Sequence, residues 1–158
     1  MLHMNHAKIV SIEKLLCDFD FGEIAFTNGC FDLFHVGHAK LLNDIKSALP
    51  LGTKLIVGVN GDISVKKNKG KDRPIIPEAE RAYLVACHEA VDYVFIFNEK
   101  TVQKYLKRLK PRFWYKGGDY NLSSLSNFEK DACKATEVLF VPFTEGVSST
   151  NIIKKIKS

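Results

Sequence analysis

The chain has 158 residues, 46% of them hydrophobic and 26% charged, and a formal net charge of +5. That length suits one domain around one core, and the near-average composition excludes a disordered tail. The excess of Lys and Arg suits a phosphate ligand, but equally nucleic acid or an anionic membrane, so charge alone does not choose the partner.

Near the N-terminus Glu13, Asp18 and Asp20 interrupt any apolar stretch. No signal peptide or membrane span is therefore predicted there, and a cytoplasmic protein without a membrane partner is expected. Residues 1–20 read as a helical extension of a single domain over 1–158. Ile12, Leu15, Leu16 and Phe19 recur at helical spacing behind Ser11, a suitable N-cap. A first strand is predicted over residues 23–28, a loop over 29–35 and a helix over 37–49, with Ala39, Leu41, Leu42, Ile45 and Leu49 on its buried side. The run KLIVGVN at 54–60 is apolar almost throughout, as for a strand covered on both faces.

Five of the eight residues from Lys66 to Arg73 are basic and Gly70 interrupts them, which predicts a mobile cationic loop. Pro77 suits the first turn of a helix running to about His88. A third strand is predicted over 91–97. Val102, Tyr105, Leu106 and Leu109 then give another helix, stopped by Pro111, before a short aromatic strand at 112–116. A helix near 124–134, a strand near 137–141 and a last helix over 149–157 complete the pattern. Five strands alternating with helices predict an α/β fold with a parallel sheet and right-handed crossovers, the usual strand order being 3-2-1-4-5. Ligands of such sheets sit beyond the carboxyl ends of the strands, where the order reverses.

The segment Thr27-Asn28-Gly29-Cys30-Phe31-Asp32-Leu33-Phe34-His35-Val36-Gly37-His38 ends the first strand and opens a helix. Exposed N–H groups and the helix dipole favour phosphate there, and the three-residue spacing lets both imidazoles reach one phosphoryl group. Gly37 is expected to admit a ligand close to the backbone. Two histidines at a helix start also serve as plain caps, so the pair alone leaves both readings open. For metal binding they lack nearby partners: His3, His6 and His88 lie elsewhere, and Cys17, Cys30, Cys87 and Cys133 are far apart without a C-x-x-C pair. The cysteines read as reduced, mostly buried thiols. A nucleic-acid reading rests on the basic face of Lys104, Lys107, Arg108 and Lys110, but interleaved exposed aromatics are missing and no nucleic-acid partner is expected.

From Phe26 to Leu42 the chain resembles the signature of the cytidylyltransferase-like nucleotidyltransferases, with the H-x-G-H motif intact at His35-Val36-Gly37-His38. Residues 59–62, 70–74, Arg81, Val91-Asp92, 116–120 and 142–150 resemble, in order, the adenylyltransferase half of bifunctional ADP-heptose synthases. The resemblance implies transfer of AMP from ATP to D-glycero-β-D-manno-heptose 1-phosphate, giving ADP-heptose and pyrophosphate with Mg²⁺. It also implies lipopolysaccharide core or surface-glycan synthesis and a possible homodimer. Those enzymes often carry a sugar kinase domain ahead of this one, so a separate kinase is expected to supply the sugar 1-phosphate. Glycerol 3-phosphate cytidylyltransferases share fold and length, which leaves base and acceptor open.

The incoming phosphate is already ionised at neutral pH, so catalysis calls for alignment and charge stabilisation rather than a strong base. His35, His38 and Lys67 form the expected catalytic set. Thr27, Asn28, Gly29, Cys30, Phe31, Asp32 and Gly37 are expected at the nucleotide, with Lys116, Gly118, Asp119, Glu145, Gly146, Ser148, Ser149 and Thr150. Asn60, Asp62, Lys66, Lys69, Arg73 and Arg81 are expected at the acceptor. Asp32 is also the one candidate beside a Mg²⁺ carried by the triphosphate. The final-helix hydroxyls read as phosphate ligands or as a simple N-cap.

Overall fold

The computed structural model describes residues 6–18, 22–118, 123, 125–142 and 144–158. Five parallel strands, β1 Ile24–Gly29, β2 Lys54–Asn60, β3 Tyr93–Phe97, β4 Phe113–Gly117 and β5 Glu137–Val141, form one sheet in the order β3-β2-β1-β4-β5. This is the expected order, and every neighbouring pair is parallel. The chain winds outward from β1 through β2 to β3, then returns to lay β4 and β5 on the other side. The carboxyl ends of β1 and β4 therefore flank the point of reversal.

Side chains alternate across the strands and build one core on each face. Ala25, Leu55, Val57, Val59 and Val94 meet Leu42 and Ile45 of α2 (Val36–Ala48) and Ala82, Val85 and Ala86 of α4 (Glu78–Ala86). On the opposite face Phe26, Ile56, Phe95 and Trp114 pack against Ile12 and Leu15 of α1 (Ile12–Asp18). They also meet Tyr105, Leu106 and Leu109 of α5 (Gln103–Leu109). The predicted face of α5 is thus the buried one; on α1 Ile12 and Leu15 are buried as expected, but Leu16 is exposed, and Phe19 lies outside the described residues.

One ion-paired carboxylate ties the lower edge of the sheet. Asp92, just before β3, accepts the Leu55 N–H at 2.8 Å, Lys46 Nζ from the last turn of α2 at 2.6 Å and Lys54 Nζ at 3.2 Å. The residues predicted to begin the third strand, Val91 and Asp92, therefore form a bonded corner instead, and β3 starts at Tyr93. α4 likewise starts one residue later than predicted, with Pro77 at its N-cap, and ends at Ala86 rather than near His88. α6 is trimmed to Asn127–Ala132 by a reciprocal cap in which Ser126 accepts from the Glu129 N–H and Glu129 accepts from the Ser126 N–H.

The larger departure is α3, Asp62–Lys69, which occupies much of the predicted cationic loop. Only Ser64 and Val65 of this helix are buried, so its sequence lacks an apolar stripe. Tertiary bonds hold it instead: Asn60 Nδ2 donates to Ser64 Oγ at 2.9 Å, and the Asp62 N–H donates to Glu78 at 2.6 Å. The true loop begins at Gly70. The predicted basic face of α5 is also neutralised along most of its length, because Lys104 pairs with Glu99, Lys107 with Asp131 and Arg108 with Glu13.

β2 passes between aromatic rings at Gly58, where an added Cβ would lie 3.1 Å from Phe26 on one side and from Phe97 on the other. Neither ring is free to withdraw, since both are buried. Gly58→Ala is therefore expected to cost about 1 to 3 kcal/mol of stability by overpacking. Urea unfolding followed by circular dichroism would show this as a lower midpoint with an unchanged slope; an unshifted midpoint would contradict the packing.

Candidate active site

A cleft of about 720 Å³ opens over the carboxyl ends of the strands, at the reversal between β1 and β4. One wall is the segment from Asn28 to Asp32 with the start of α2, where His35, Gly37 and His38 line it. The facing wall is residues 144–151, which run into α7 (Ser149–Lys157). Both α2 and α7 thus turn their N-termini to the same space. Neither has an acidic side chain in its first turn, so their dipoles are uncompensated and favour an anion between them.

The β1–α2 connection is held in an uncommon shape. Phe31 and Leu33 have φ of 51°, a left-handed conformation that non-glycine residues adopt at a cost. The anchor between them is Asp32, whose side chain is fully buried. Its carboxylate accepts Arg73 Nε at 2.6 Å, the Ile75 N–H at 2.9 Å and the Ile76 N–H at 2.9 Å. Burial by itself would raise the Asp32 pKa, but these donors outweigh it and hold the group below its ordinary value. The Ser149 hydroxyl donates to the Asp32 carbonyl, joining the start of α7 to the same turn.

Beyond that turn His35 is the N-cap of α2 and His38 lies in its first turn. Their rings stack, centroids 3.8 Å apart and planes 16° from parallel. Gly37, which lines the cleft, is also needed for this stacking, because a Cβ there would stand 3.1 Å from the His35 ring. Phe31 and Phe34 hold the His38 ring from other sides, at centroid distances of 5.3 and 5.5 Å. The His35 N–H donates to His38 Nδ1 at 3.4 Å, which leaves the His38 proton on Nε2. Burial lowers the pKa of both rings, and with His35 beside it His38 falls to about 4. At neutral pH the pair is uncharged and acts through N–H donors.

Several residues expected at the ligand are placed elsewhere. Arg81 is completely buried and donates to the carbonyls of Ile76, Cys30 and Asn60 and to Asp62 Oδ1, at 2.5 to 2.8 Å. It braces the cleft from behind, and Asp62 is its ion-pair partner rather than a group lining the cleft. Thr27 is also buried, its hydroxyl donating to the Tyr115 carbonyl at 2.9 Å, so it ties β1 to β4. Asp32 lines the cleft, but its carboxylate is bonded to Arg73 and to the Ile75 and Ile76 N–H groups. Among the described residues no group of three His, Cys, Asp or Glu side chains is arranged to hold a metal ion. Gly118 is buried behind the cleft with φ of 123° and its N–H on the Val141 carbonyl, a turn that favours glycine. Asp119 lies outside the described residues.

Because α3 is a helix, the lysines of its last turn diverge. Lys69 lines the cleft, whereas Lys66 and Lys67 do not. Asn60, Arg73, Lys116, Glu145, Gly146, Ser148, Ser149 and Thr150 all line the cleft as expected. Ser148 Oγ accepts from the Asn151 N–H at 3.1 Å, so this hydroxyl caps α7 while Thr150 carries no such duty. Asn68, Lys100, Thr101 and Glu129 also reach the cleft and were not predicted. Of these only Glu129 had a sequence signal, the Ser126-x-x-Glu129 cap that orients it; there it meets Lys116 Nζ at 3.4 Å.

Paired neutral imidazoles between two helix N-termini suit a phosphoryl group in transit, which places the protein among the α/β nucleotidyltransferases. The chain belongs to the cytidylyltransferase-like family, whose model matches residues 26–155. It is 46% identical over 99% of its length to the bifunctional protein HldE of Helicobacter pylori. It is 49% identical over 85% of its length to the bifunctional protein HldE of a Nitratiruptor species. It spans only 32% and 28% of those relatives. The crystal structure of a lipopolysaccharide core biosynthesis protein from Thermoplasma volcanium shares the fold. Its TM-score is 0.65 at 24% identity, covering 78% of this chain and 98% of that one.

Two outcomes follow from this geometry. Lys69→Ala is expected to lower kcat/KM for nucleotidyl transfer by roughly tenfold or more, the worth of a charge-assisted contact, while Lys67→Ala changes it little. Steady-state kinetics showing the reverse order would return the role to Lys67. The second outcome concerns pH. A histidine that ordinarily titrates near 6.5 and falls to about 4 in the fold takes up its proton first in the unfolded chain. Its contribution to stability is complete above about 6.5 and is lost as pH falls toward about 4. Between pH 7 and 5 the wild type is expected to lose on the order of 1 to 2 kcal/mol more unfolding free energy than His38→Gln. Equal losses in urea titrations would assign the pH dependence to other groups.

Proposed function

We propose that the protein transfers AMP from ATP to a sugar 1-phosphate, with D-glycero-β-D-manno-heptose 1-phosphate as the acceptor, giving ADP-heptose and pyrophosphate. The observation that carries the transfer chemistry is the convergence of two helix N-termini on the stacked His35–His38 pair. The choice of a heptose rests on the ordered resemblance along the chain and on relatives named bifunctional protein HldE.

In this reaction an oxygen of the acceptor phosphate attacks the α-phosphorus of ATP. A new P–O bond forms on one side as the bond to the β-phosphate oxygen breaks on the other, and pyrophosphate leaves with that bond's electrons. A monoester phosphate with a second pKa near 6 needs no proton removed at neutral pH. The work of this chain is therefore to hold two anions in line and to donate hydrogen bonds to the charge that builds on the α-phosphate. Neutral His35 and His38 are suited to it, because a neutral N–H donor costs less to bury than a cation and remains in place before and after the step. Lys69 brings a mobile cation, and Asn60, Asn68 and Thr101 bring amides and a hydroxyl that match a polyhydroxylated acceptor. Mg²⁺ belongs on this reading to the triphosphate of the nucleotide. The reaction is placed in the cytoplasm, where ATP and the sugar phosphate are available.

Pyrophosphate release should be screened with ATP, CTP, GTP and UTP against heptose 1-phosphates, glycerol 3-phosphate and related acceptors. ATP with a heptose 1-phosphate is expected to be fastest. Faster turnover of CTP with glycerol 3-phosphate would overturn the heptose assignment while keeping the reaction class. In the preferred pair, His35→Ala or His38→Ala is expected to lower kcat by at least about a hundredfold, the scale of one lost preorganised donor. Near-normal rates in both variants, with the fold intact by circular dichroism, would remove the histidines from the mechanism.

A further inference from the structure

β2 ends in a polar side chain that the protein only half satisfies. Asn60 is 7% exposed and lines the reaction cleft. Its backbone carbonyl takes Arg81 Nη1 at 2.7 Å, and its side-chain Nδ2 donates to Ser64 Oγ at 2.9 Å. Ser64 is fully buried in α3, and its hydroxyl in turn donates to the Glu99 carbonyl at 3.2 Å. Glu99 is itself fixed, its carboxylate held by Lys104 Nζ at 2.9 Å and by the Tyr105 hydroxyl.

This chain of bonds has one direction. A serine hydroxyl carries a single hydrogen and a backbone carbonyl carries none, so the Ser64 hydrogen lies toward Glu99 and Ser64 Oγ accepts from Asn60. The opposite amide orientation would draw that hydrogen to Asn60 Oδ1 and leave the Ser64 and Glu99 oxygens facing each other with no hydrogen between them. Asn60 therefore turns its NH₂ group inward. Its Oδ1 has no hydrogen-bond partner among the described residues, where the buried polar side-chain atoms without one are His35 Nδ1, Thr53 Oγ1 and Trp114 Nε1. Oδ1 is thus open to the cleft and not sealed inside the fold.

The helix N-termini, imidazoles and lysines of the cleft offer hydrogens, and an ionised phosphate, which has only acceptor oxygens, suits them. An amide oxygen is the reverse. It repels phosphate oxygens and is satisfied only by an O–H or N–H of the ligand. Resting on the sugar 1-phosphate reading above, we infer that Asn60 is a specificity-determining residue whose Oδ1 accepts a hydrogen bond from a hydroxyl of the acceptor. Ser64 is the positioning residue that fixes the amide. The ribose of the nucleotide is the other source of hydroxyls. The acceptor is favoured by the neighbours of Asn60 in the cleft: Asn68, Lys100 and Thr101 follow β2 and β3, on the far side of β1 from β4 and β5, and offer neutral polar groups and a cation to a phosphorylated polyol.

Isothermal titration calorimetry on protein loaded with a non-hydrolysable ATP analogue tests this without turnover. The titrants are D-glycero-β-D-manno-heptose 1-phosphate and its monodeoxy analogues. The wild type is expected to bind at least one analogue roughly tenfold or more weakly than the parent, the scale of a buried acceptor left unpaired. Asn60→Ala is expected to bind that analogue and the parent within about twofold of each other, with its affinity for the ATP analogue unchanged. Ser64→Ala frees the amide to turn and is expected to lose most of the same discrimination while keeping the fold by circular dichroism, an effect that a merely structural serine would not have. The inference is overturned if the wild type binds every monodeoxy analogue as tightly as the parent, or if Asn60→Ala keeps the wild-type discrimination. It is equally overturned if, in direct titrations, Asn60→Ala levels ATP against 2′-deoxy-ATP or 3′-deoxy-ATP, which would assign the hydroxyl to ribose. Failure of the sugar phosphate reading would appear separately, as a wild type that binds no heptose 1-phosphate and releases no pyrophosphate with it in the turnover screen.

Discussion

The Asp32 carboxylate is the constraint on which the cleft depends. It is buried, charged and satisfied by Arg73 and two consecutive backbone N–H groups, so the β1–α2 turn and the segment after α3 cannot move independently. The left-handed Phe31 and Leu33 on either side are tolerable because that anchor holds them. The Ser149 hydroxyl on the Asp32 carbonyl extends the same constraint to α7. Three chain segments distant in sequence are thereby fixed around one carboxylate, and the two helix N-termini keep their common aim.

Behind this turn Arg81 performs a comparable service. A buried guanidinium is stable only when its donors are used, and here they reach three carbonyls and one carboxylate. Those carbonyls belong to the ends of β1 and β2 and to the approach to α4. The result is a stiff floor beneath a cleft lined by neutral imidazoles and, toward its edge, by lysines. On the proposed function, charge is kept at the rim and donors without net charge face the reacting phosphate. The stacked histidines suit this division, since protonating one disfavours protonating its neighbour and burial disfavours both.

The fold was legible to the extent that a local pattern carried it. β2 could be read from KLIVGVN because a strand covered on both faces needs apolar side chains in both directions. α5 could be read from Tyr105, Leu106 and Leu109, whose spacing is the spacing of burial. α3 could not: it has no apolar stripe, and its stability comes from the bonds that Ser64 and the Asp62 N–H make to Asn60, Glu99 and Glu78. A loop reading also leaves open which of Lys66, Lys67 and Lys69 lines the cleft; the helix fixes their directions, and of the three Lys69 lines it.

Sequence by itself determined the strand and helix alternation, hence a parallel sheet with its ligand site at the reversal of strand order, and it marked His35 and His38 by their place at a helix start. These are consequences of residue type and short-range spacing. Tertiary structure alone decided which polar groups face the ligand and which hold the frame. Asp32, Asp62, Thr27 and Arg81 carry the same chemistry as ligand-binding residues, and apart from the Arg81–Ile76 bond their side-chain partners lie 19 to 88 positions away in the chain. Whether a buried charge meets a substrate or another buried group depends on three-dimensional neighbours, and no local pattern encodes them.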